Sequence, residues 1–98
     1  AANVLDGDAA RRLTGRPSAM LRPERIRLGA AAGARASGVV QEVQYFGSFT
    51  RVKVAADGVA LQADLPDAGG LAAPEHGATV HLHWNEQAVH GLDAGGGR

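Results

Sequence analysis

The chain has 98 residues, of which ten are basic and ten acidic, and it contains no cysteine. A chain of this length suits one domain with a thin core, and the lack of cysteine excludes disulfides and cysteine-ligated metal. No apolar run approaches the roughly 20 residues that cross a bilayer as a helix, and no signal segment opens the chain. We expect a soluble domain of modest stability that gains from association with another surface.

The charges are unevenly placed along the chain. Residues 1–53 carry nine basic and four acidic groups, whereas residues 54–98 carry one basic and six acidic groups. We favour an arrangement in which the two halves interleave and their charges mix across strands. The alternative is a basic face that receives an anion or an acidic partner.

The N-terminal residues predict little regular structure. Val4 and Leu5 form a candidate short strand before a turn at 6–8, and the start is not that of a natural initiator. We therefore expect a piece of a longer protein. The basic stretch 11–18 contains Gly15 and Pro17 and has no interleaved aromatic residues that would stack on bases, so it is predicted to be a solvated loop.

Residues 20–28 contain a second strand signal, which lies toward the end of the segment. Ile26 and Leu28 alternate with arginines, and Pro23 belongs at the beginning of the strand because proline cannot donate to a ladder. The Gly- and Ala-rich stretch 29–37 is predicted to be a mobile loop.

Residues 38–66 predict a meander of three antiparallel strands. Period-2 alternation places apolar side chains on one face of each strand. The predicted inward residues are Val39, Val43 and Tyr45 in the first strand, Thr50, Val52 and Val54 in the second, and Val59, Leu61, Ala63 and Leu65 in the third. Gly47 and Ser48 interrupt the alternation between the first and second strands. Asp57-Gly58 predicts a tight hairpin between the second and third strands.

The remaining residues add two strands and two irregular segments. After an irregular connection at 67–77, residues 78–84 predict a strand whose Val80, Leu82 and Trp84 face inward. Residues 88–92 form a candidate last strand, and residues 95–98 a disordered tail. The pattern is thus that of an all-β domain of about five to six short strands.

Two histidines have a spacing that can chelate metal. His81 and His83 project from the same face of one strand, and His76, His90 or Glu86 could complete a zinc or copper site. Alternating polar residues on the outer face of a strand are ordinary, so we predict no metal. No catalytic triad, paired carboxylates or phosphate-binding loop is discernible, and we predict that this chain is not itself an enzyme.

Four residues are candidates for ligand or subunit contacts. These are Arg22, Glu24, Ser48 and Arg51. Arg22 and Glu24 flank a proline at a strand start, where they are most simply structural, although Arg22 could line an interface or an anion pocket. Ser48 lies in a glycine-containing link whose backbone N–H groups could hold a small ligand.

The order of several motifs resembles the C-terminal part of the ATP-binding subunits of ABC importers. There, a segment like RPE-K/R-I is followed by G-x-V-x-x-x-x-Y-x-G and a closing G-x-x-V-x-L-x-W. The matching segments here are LRPERIRL at 21–28, the stretch from Gly38 to Gly47, Asp57-Gly58, and residues 77–84 with Glu86 and His90. The opening residues 3–7 look like the junction with the ATPase domain. The chain thus resembles a TOBE-type domain, nearest to the polyamine, iron and related solute importers.

This resemblance implies a fold, a set of partners and a location. The fold would be a small OB-fold-like antiparallel β-barrel over residues 20–94, preceded by a junction at 1–19. The barrel would pair with its counterpart in a homodimer of ATPase subunits and regulate uptake. It would adjoin the ATPase domain of the same parent chain and, indirectly, the permease subunits, on the cytoplasmic face of the membrane. ATP and Mg would bind the parent's ATPase domain, and no cofactor is expected in this chain.

Two other functions compete with this interpretation. One is a barrel that binds a small oxyanion at a subunit interface. It would use basic residues from the set Arg22, Arg25, Arg51 and Lys53, with Ser48 and backbone donors. The other is a nucleic-acid-binding barrel, which is disfavoured because the chain is neutral overall and few aromatic residues could stack on bases. These aromatic residues are Tyr45, Phe46, Phe49 and Trp84.

Overall fold

Eight antiparallel strands and one short helix make up the described part of the chain, residues 2–66 and 73–92 of a computed structural model. The elements are β1 (Asn3–Asp6), α1 (Gly7–Thr14), β2 (Ser18–Leu21), β3 (Arg27–Gly29), β4 (Ala36–Tyr45), β5 (Phe49–Ala56), β6 (Val59–Pro66), β7 (Thr79–His83) and β8 (Val89–Gly91). The predicted all-β class is confirmed, and the architecture is consistent with a small OB-like fold. The strands are more numerous than the five to six expected.

The strands form two sheets that enclose one core. β1, β2 and β8 form a three-stranded sheet in the order β1-β2-β8, and the other strands form a five-stranded sheet in the order β3-β7-β4-β5-β6. The fully buried large side chains are Leu21, Ile26, Val40, Val52, Val54, Leu61 and Leu82, which come from both sheets and the segment that joins them. Each such side chain contributes about 1.5–3 kcal/mol on burial.

The predicted meander β4-β5-β6 is present, and its second hairpin is the tight turn expected. Asp57 and Gly58 both have positive φ, of 53° and 80°, as the type I′ turn requires. The alternation in β5 and β6 is also as predicted, with Val52, Val54 and Leu61 buried.

The inward face of β4 differs from the prediction. The ladder to β5 pairs Val40 with Val54 and Glu42 with Lys53, which leaves Gln41 as an extra residue in a β-bulge. A bulge shifts the side-chain alternation by one position. As a result Val40 is 1% exposed and Val39 is 45% exposed, so Val39 is not the core residue that simple alternation predicts.

The helix α1 replaces the turn and loop expected at residues 6–18. Ala9, Ala10 and Leu13 are buried on one face of the helix, which packs against β1 and β2. Gly15 ends the helix in the left-handed conformation, with φ of 78°, and its N–H donates to the carbonyl of Arg11 at 2.9 Å. The predicted loop was therefore wrong over residues 11–14.

The segment around Pro23 is a turn and not the beginning of a strand. Pro23–Arg25 forms a single 3₁₀ turn, and the strand β3 starts only at Arg27. The residues before it, Ser18–Leu21, form the separate strand β2, which the sequence pattern did not reveal. Pro23 and Ile26 are buried, so the turn is anchored to the core from both sides.

The C-terminal strands follow the prediction. Val80, Leu82 and Trp84 are buried, while His81 and His83 lie on the opposite face of β7. A second 3₁₀ turn, Glu86–Ala88, leads into β8. The predicted tail at 95–98 and most of the predicted irregular connection, at 67–72, lie outside the described residues.

The side chain of Asn3 joins the two sheets at their edge. Its Nδ2 donates to the carbonyl of Gln62 at 2.9 Å, and the N–H of Gln62 donates to its Oδ1 at 2.8 Å. Asn3 thus takes the place of a neighbouring strand at the outer edge of β6. In the part of the chain that the structure describes, no helix has the length and apolar character needed to cross a membrane.

Candidate functional site

The hairpin between β4 and β5 ends in an exposed group of aromatic residues, which we call the aromatic tip (residues 45–49). Gly47, with φ of 87°, occupies the first central position of a two-residue turn, where a type II′ turn needs positive φ. The N–H of Phe46 donates to the carbonyl of Phe49 at 2.9 Å. The Phe46 and Phe49 rings stack with their centroids 4.8 Å apart, while Tyr45 is 74% exposed.

Arg51 fixes the base of the aromatic tip. Its guanidinium carbon lies 5.3 Å from the centre of the Phe46 ring and 5.5 Å from that of Phe49, within cation–π range. The same guanidinium binds Asp64 on β6 through two hydrogen bonds of 2.8 and 3.0 Å. The hydrogen bonds that Arg51 donates to Asp64 raise the pKa of Arg51 above its ordinary value.

A shallow depression of about 370 Å³ lies beside the aromatic tip, and we call it the tip depression. It is lined by Glu24, Ser48, Phe49, Asp64 and Pro66. The 3₁₀ turn that carries Glu24 packs against β6, which brings Glu24 and Ser48 to one place. Arg51 is not in this lining but contacts two residues that are, Asp64 and Phe49. Arg22 is exposed and lies outside the lining.

A second depression, of about 360 Å³, lies where the two sheets meet, and we call it the inter-sheet depression. It is lined by Glu24, Arg25, Arg27, Asn85, Gln87, Ala88 and His90. These residues come from both 3₁₀ turns, from β3 and from β8. Sequence reasoning missed this site because its members lie in separate segments that no single motif joins.

The outward histidines of β7 make structural hydrogen bonds. Nδ1 of His81 lies 2.7 Å from Oγ of Ser37, and Nε2 of His83 donates to the carbonyl of Ala30 at 2.7 Å. Among residues 2–66 and 73–92, no three His, Cys, Asp or Glu side chains lie together as a metal site would require.

Ion pairs connect basic residues of the first half of the chain with acidic residues of the second half. Arg12 on α1 binds Asp57 at 2.7 Å, and Arg35 binds Glu86 at 3.1 Å. With the Arg51–Asp64 pair, these contacts link the basic half to the acidic half, as the interleaved arrangement predicts. The hydrogen bond that Arg12 donates to Asp57 raises the pKa of Arg12 above its ordinary value.

The aromatic residues divide between surface and core. Trp84 is 3% exposed and packs in the core, and its Nε1 has no hydrogen-bond partner within the described residues. Tyr45 and Phe46 are exposed, and Phe49 is partly exposed. The exposed rings of the aromatic tip could therefore stack on a nucleic-acid base, whereas the buried ring of Trp84 could not.

Comparison with known proteins identifies the family. Residues 19–92, more than half of the chain, match a family model described as TOBE domain. No curated protein matches the chain. TOBE domains are non-catalytic accessory domains of ABC-transporter-type ATPases. The resemblance seen in the sequence motifs is thus confirmed at the level of the family, and the chain belongs to the TOBE domain family.

Proposed function

We propose that this chain is the C-terminal regulatory domain of an ABC importer ATPase subunit and that it mediates pairing of two such subunits. The observation that carries the proposal is the TOBE match over residues 19–92, which includes β3 to β8 and all but the first residue of β2. The parent protein would supply the ATPase domain, with its ATP and Mg, and would act with membrane permease subunits. The motif pattern favours an importer of polyamines or a related solute.

Self-association is supported by apolar side chains left on the surface. The exposed large apolar residues are Val4, Val39, Tyr45, Phe46 and Leu92. Aromatic residues are enriched in protein interfaces because they bury much area at a low cost in conformational entropy. The aromatic tip is the part of this surface where such residues lie side by side.

The geometry of the aromatic tip also favours a contact role. Its turn is held by the Phe46–Phe49 hydrogen bond, and its rings are held by stacking and by Arg51. A surface already held in one conformation loses little freedom on binding, so more of its contact energy appears as affinity. We propose that two copies of the chain meet through this tip.

Light scattering across a concentration series tests the proposed pairing. We expect a dimer mass that persists to low micromolar concentration. A monomer mass at every concentration up to several hundred micromolar would contradict self-association through this domain. That result would leave the family assignment intact, because the assignment rests on the sequence match.

A further inference from the structure

The inter-sheet depression has a lining of mixed charge. Two arginines, Arg25 and Arg27, and one glutamate, Glu24, are among the residues that line it. Asn85 and Gln87 add two carboxamides, which can both donate and accept hydrogen bonds. Two arginines and one glutamate give the lining one net positive charge.

These charges are not paired with one another. Within residues 2–66 and 73–92, the ion pairs join Arg12, Arg35, Arg51 and Lys53 to their partners, and none involves Glu24, Arg25 or Arg27. Two arginines and a glutamate therefore line the same depression without forming an ion pair with each other. A ligand that supplies both signs of charge could satisfy all three.

The backbone that carries these groups is held in place. The N–H of Arg25 donates to Arg22 at 3.0 Å, and the N–H of Ile26 donates to Pro23 at 3.2 Å, which closes the first 3₁₀ turn. The second turn is closed in the same way by Ala88 at 2.9 Å. Arg27 lies on β3 opposite His83 of β7. Buried Pro23, Ile26 and Ala88 fasten both turns to the core.

We propose that the inter-sheet depression binds a small acidic amino acid, with L-glutamate as the model ligand. Its two carboxylates would bind Arg25 and Arg27, and its ammonium would bind Glu24. Guanidinium groups bind carboxylates in a fork geometry, which favours this orientation over the reverse. The ligand carries one net negative charge, which complements the net positive charge of the lining.

Simpler ions fit this lining less well. An inorganic oxyanion would bind the two arginines but would leave Glu24 as an unfavourable like charge. An alkylammonium ion would bind Glu24 but would face two guanidinium groups. A depression of about 360 Å³ is near the lower end of small-molecule sites, which suits a ligand the size of an amino acid. The inference does not depend on pairing of two chains.

Titration followed by amide NMR shifts tests the proposal with four probes of graded charge. These are L-glutamate, glutarate, L-glutamine and inorganic phosphate, each at the same ionic strength. Glutarate lacks the ammonium group, and L-glutamine lacks the second carboxylate. We expect saturable shifts from L-glutamate at Glu24, Arg27 and Gln87, with a dissociation constant on the order of 1 mM, because the charges are exposed. Glutarate and L-glutamine should each bind at least about fivefold more weakly.

Two charge-removing variants and a control give the test its specificity. Glu24→Gln should abolish the preference for L-glutamate over glutarate, and Arg27→Gln should abolish the preference over L-glutamine. Arg11→Gln removes an exposed arginine of α1 outside the depression and should leave binding unchanged. All three positions are exposed, so the variants should fold, which circular dichroism would verify.

Several outcomes would overturn the proposal. The proposal fails if phosphate or glutarate binds as tightly as L-glutamate, since the site would then hold a simple anion. It fails equally if the shifts map elsewhere or if no probe saturates. Failure here is separable from failure of the proposed pairing, because light scattering reports the pairing without any ligand.

Discussion

Asn3 and Gln62 form a two-way hydrogen-bonded pair that closes the described part of the barrel. The side-chain amide of Asn3 both donates to and accepts from the backbone of Gln62, at 2.9 and 2.8 Å. Gln62 lies on β6, the edge strand of the larger sheet, and Asn3 lies on β1, an edge strand of the smaller sheet. The Asn3 side chain bonds the backbone groups of Gln62 that a neighbouring strand would otherwise bond. It therefore blocks this part of the β6 edge from pairing with another chain.

Replacing Asn3 by alanine should destabilise the domain. The change removes two hydrogen bonds and leaves the N–H and carbonyl of Gln62 without partners at a part-buried position, which costs about 1–3 kcal/mol. Urea unfolding followed by circular dichroism measures this loss. Val4→Ala, at the exposed neighbouring position, is the control and should change stability by less than about 0.5 kcal/mol. Equal stability of Asn3→Ala and the parent would show that water replaces the amide without cost.

Gly38 is required by close approach of the strands and not by its φ angle. A Cβ at this position would overlap the carbonyl oxygen of Ala55 and would lie 2.8 Å from Cγ1 of Val54. We expect Gly38→Ala to cost about 1–3 kcal/mol, because backbone of β5 would have to move.

Gly91 provides a matched control for Gly38. It is also a strand glycine, but a Cβ there meets only the flexible end of Arg16, 3.1 Å from Nη1. Gly91→Ala should therefore change the free energy of unfolding by less than about 0.5 kcal/mol. The same urea titration compares both variants, and similar losses for both would rule out the steric explanation.

Much of the fold was predictable because most strands follow simple alternation. Val52, Val54 and Leu82 were predicted inward and are buried, since their strands are regular. Trp84, also predicted inward, is buried just after the end of β7. β4 departs from the pattern because the bulge at Gln41 changes the alternation partway along the strand. A bulge depends on how the partner strand pairs, so a single strand's sequence does not reveal it.

The missed helix and the missed depression have different physical reasons. Helix α1 has only eight residues, and its signals were the apolar spacing of Ala9, Ala10 and Leu13 and a glycine at its end. Such short helices form because tertiary packing stabilises them, and packing is not visible in a local pattern. The inter-sheet depression joins residues far apart in the sequence, such as Glu24 and His90. Glu24 and Ser48 were both candidate contact residues and both line the tip depression, but the sequence did not indicate that they lie together.

The two cross-linking ion pairs should differ in their sensitivity to salt. Arg51–Asp64 is bidentate, lies between paired strand residues and is more shielded than Arg12–Asp57, which has a more exposed arginine. Exposed pairs are screened strongly by salt, and shielded ones less so. Double-mutant cycles with alanine, run at low and high sodium chloride, measure both couplings. We expect the Arg12–Asp57 coupling to vanish at high salt and the Arg51–Asp64 coupling to persist, and the reverse order would contradict this assignment.

Truncating Tyr45 should weaken the proposed dimer while leaving the fold intact. The side chain is 74% exposed in the single chain, so Tyr45→Ala removes little that stabilises the monomer. Truncation of an aromatic residue that anchors an interface typically weakens the binding free energy by at least about 1–2 kcal/mol. This corresponds to a rise in the dimer dissociation constant of at least about fivefold. Sedimentation or light scattering across a dilution series measures this constant, and thermal unfolding verifies the fold.

Val4→Ser is the control for this experiment. Val4 is also an exposed apolar residue, but it lies on β1 in the smaller sheet, away from the aromatic tip. If general hydrophobicity drives association, Val4→Ser and Tyr45→Ala should weaken the dimer alike. If the tip is the contact, only Tyr45→Ala should do so. A dimer that tolerates Tyr45→Ala but not Val4→Ser would move the interface to the outer face of the smaller sheet, where Val4 pairs with Met20 and Met20 with His90.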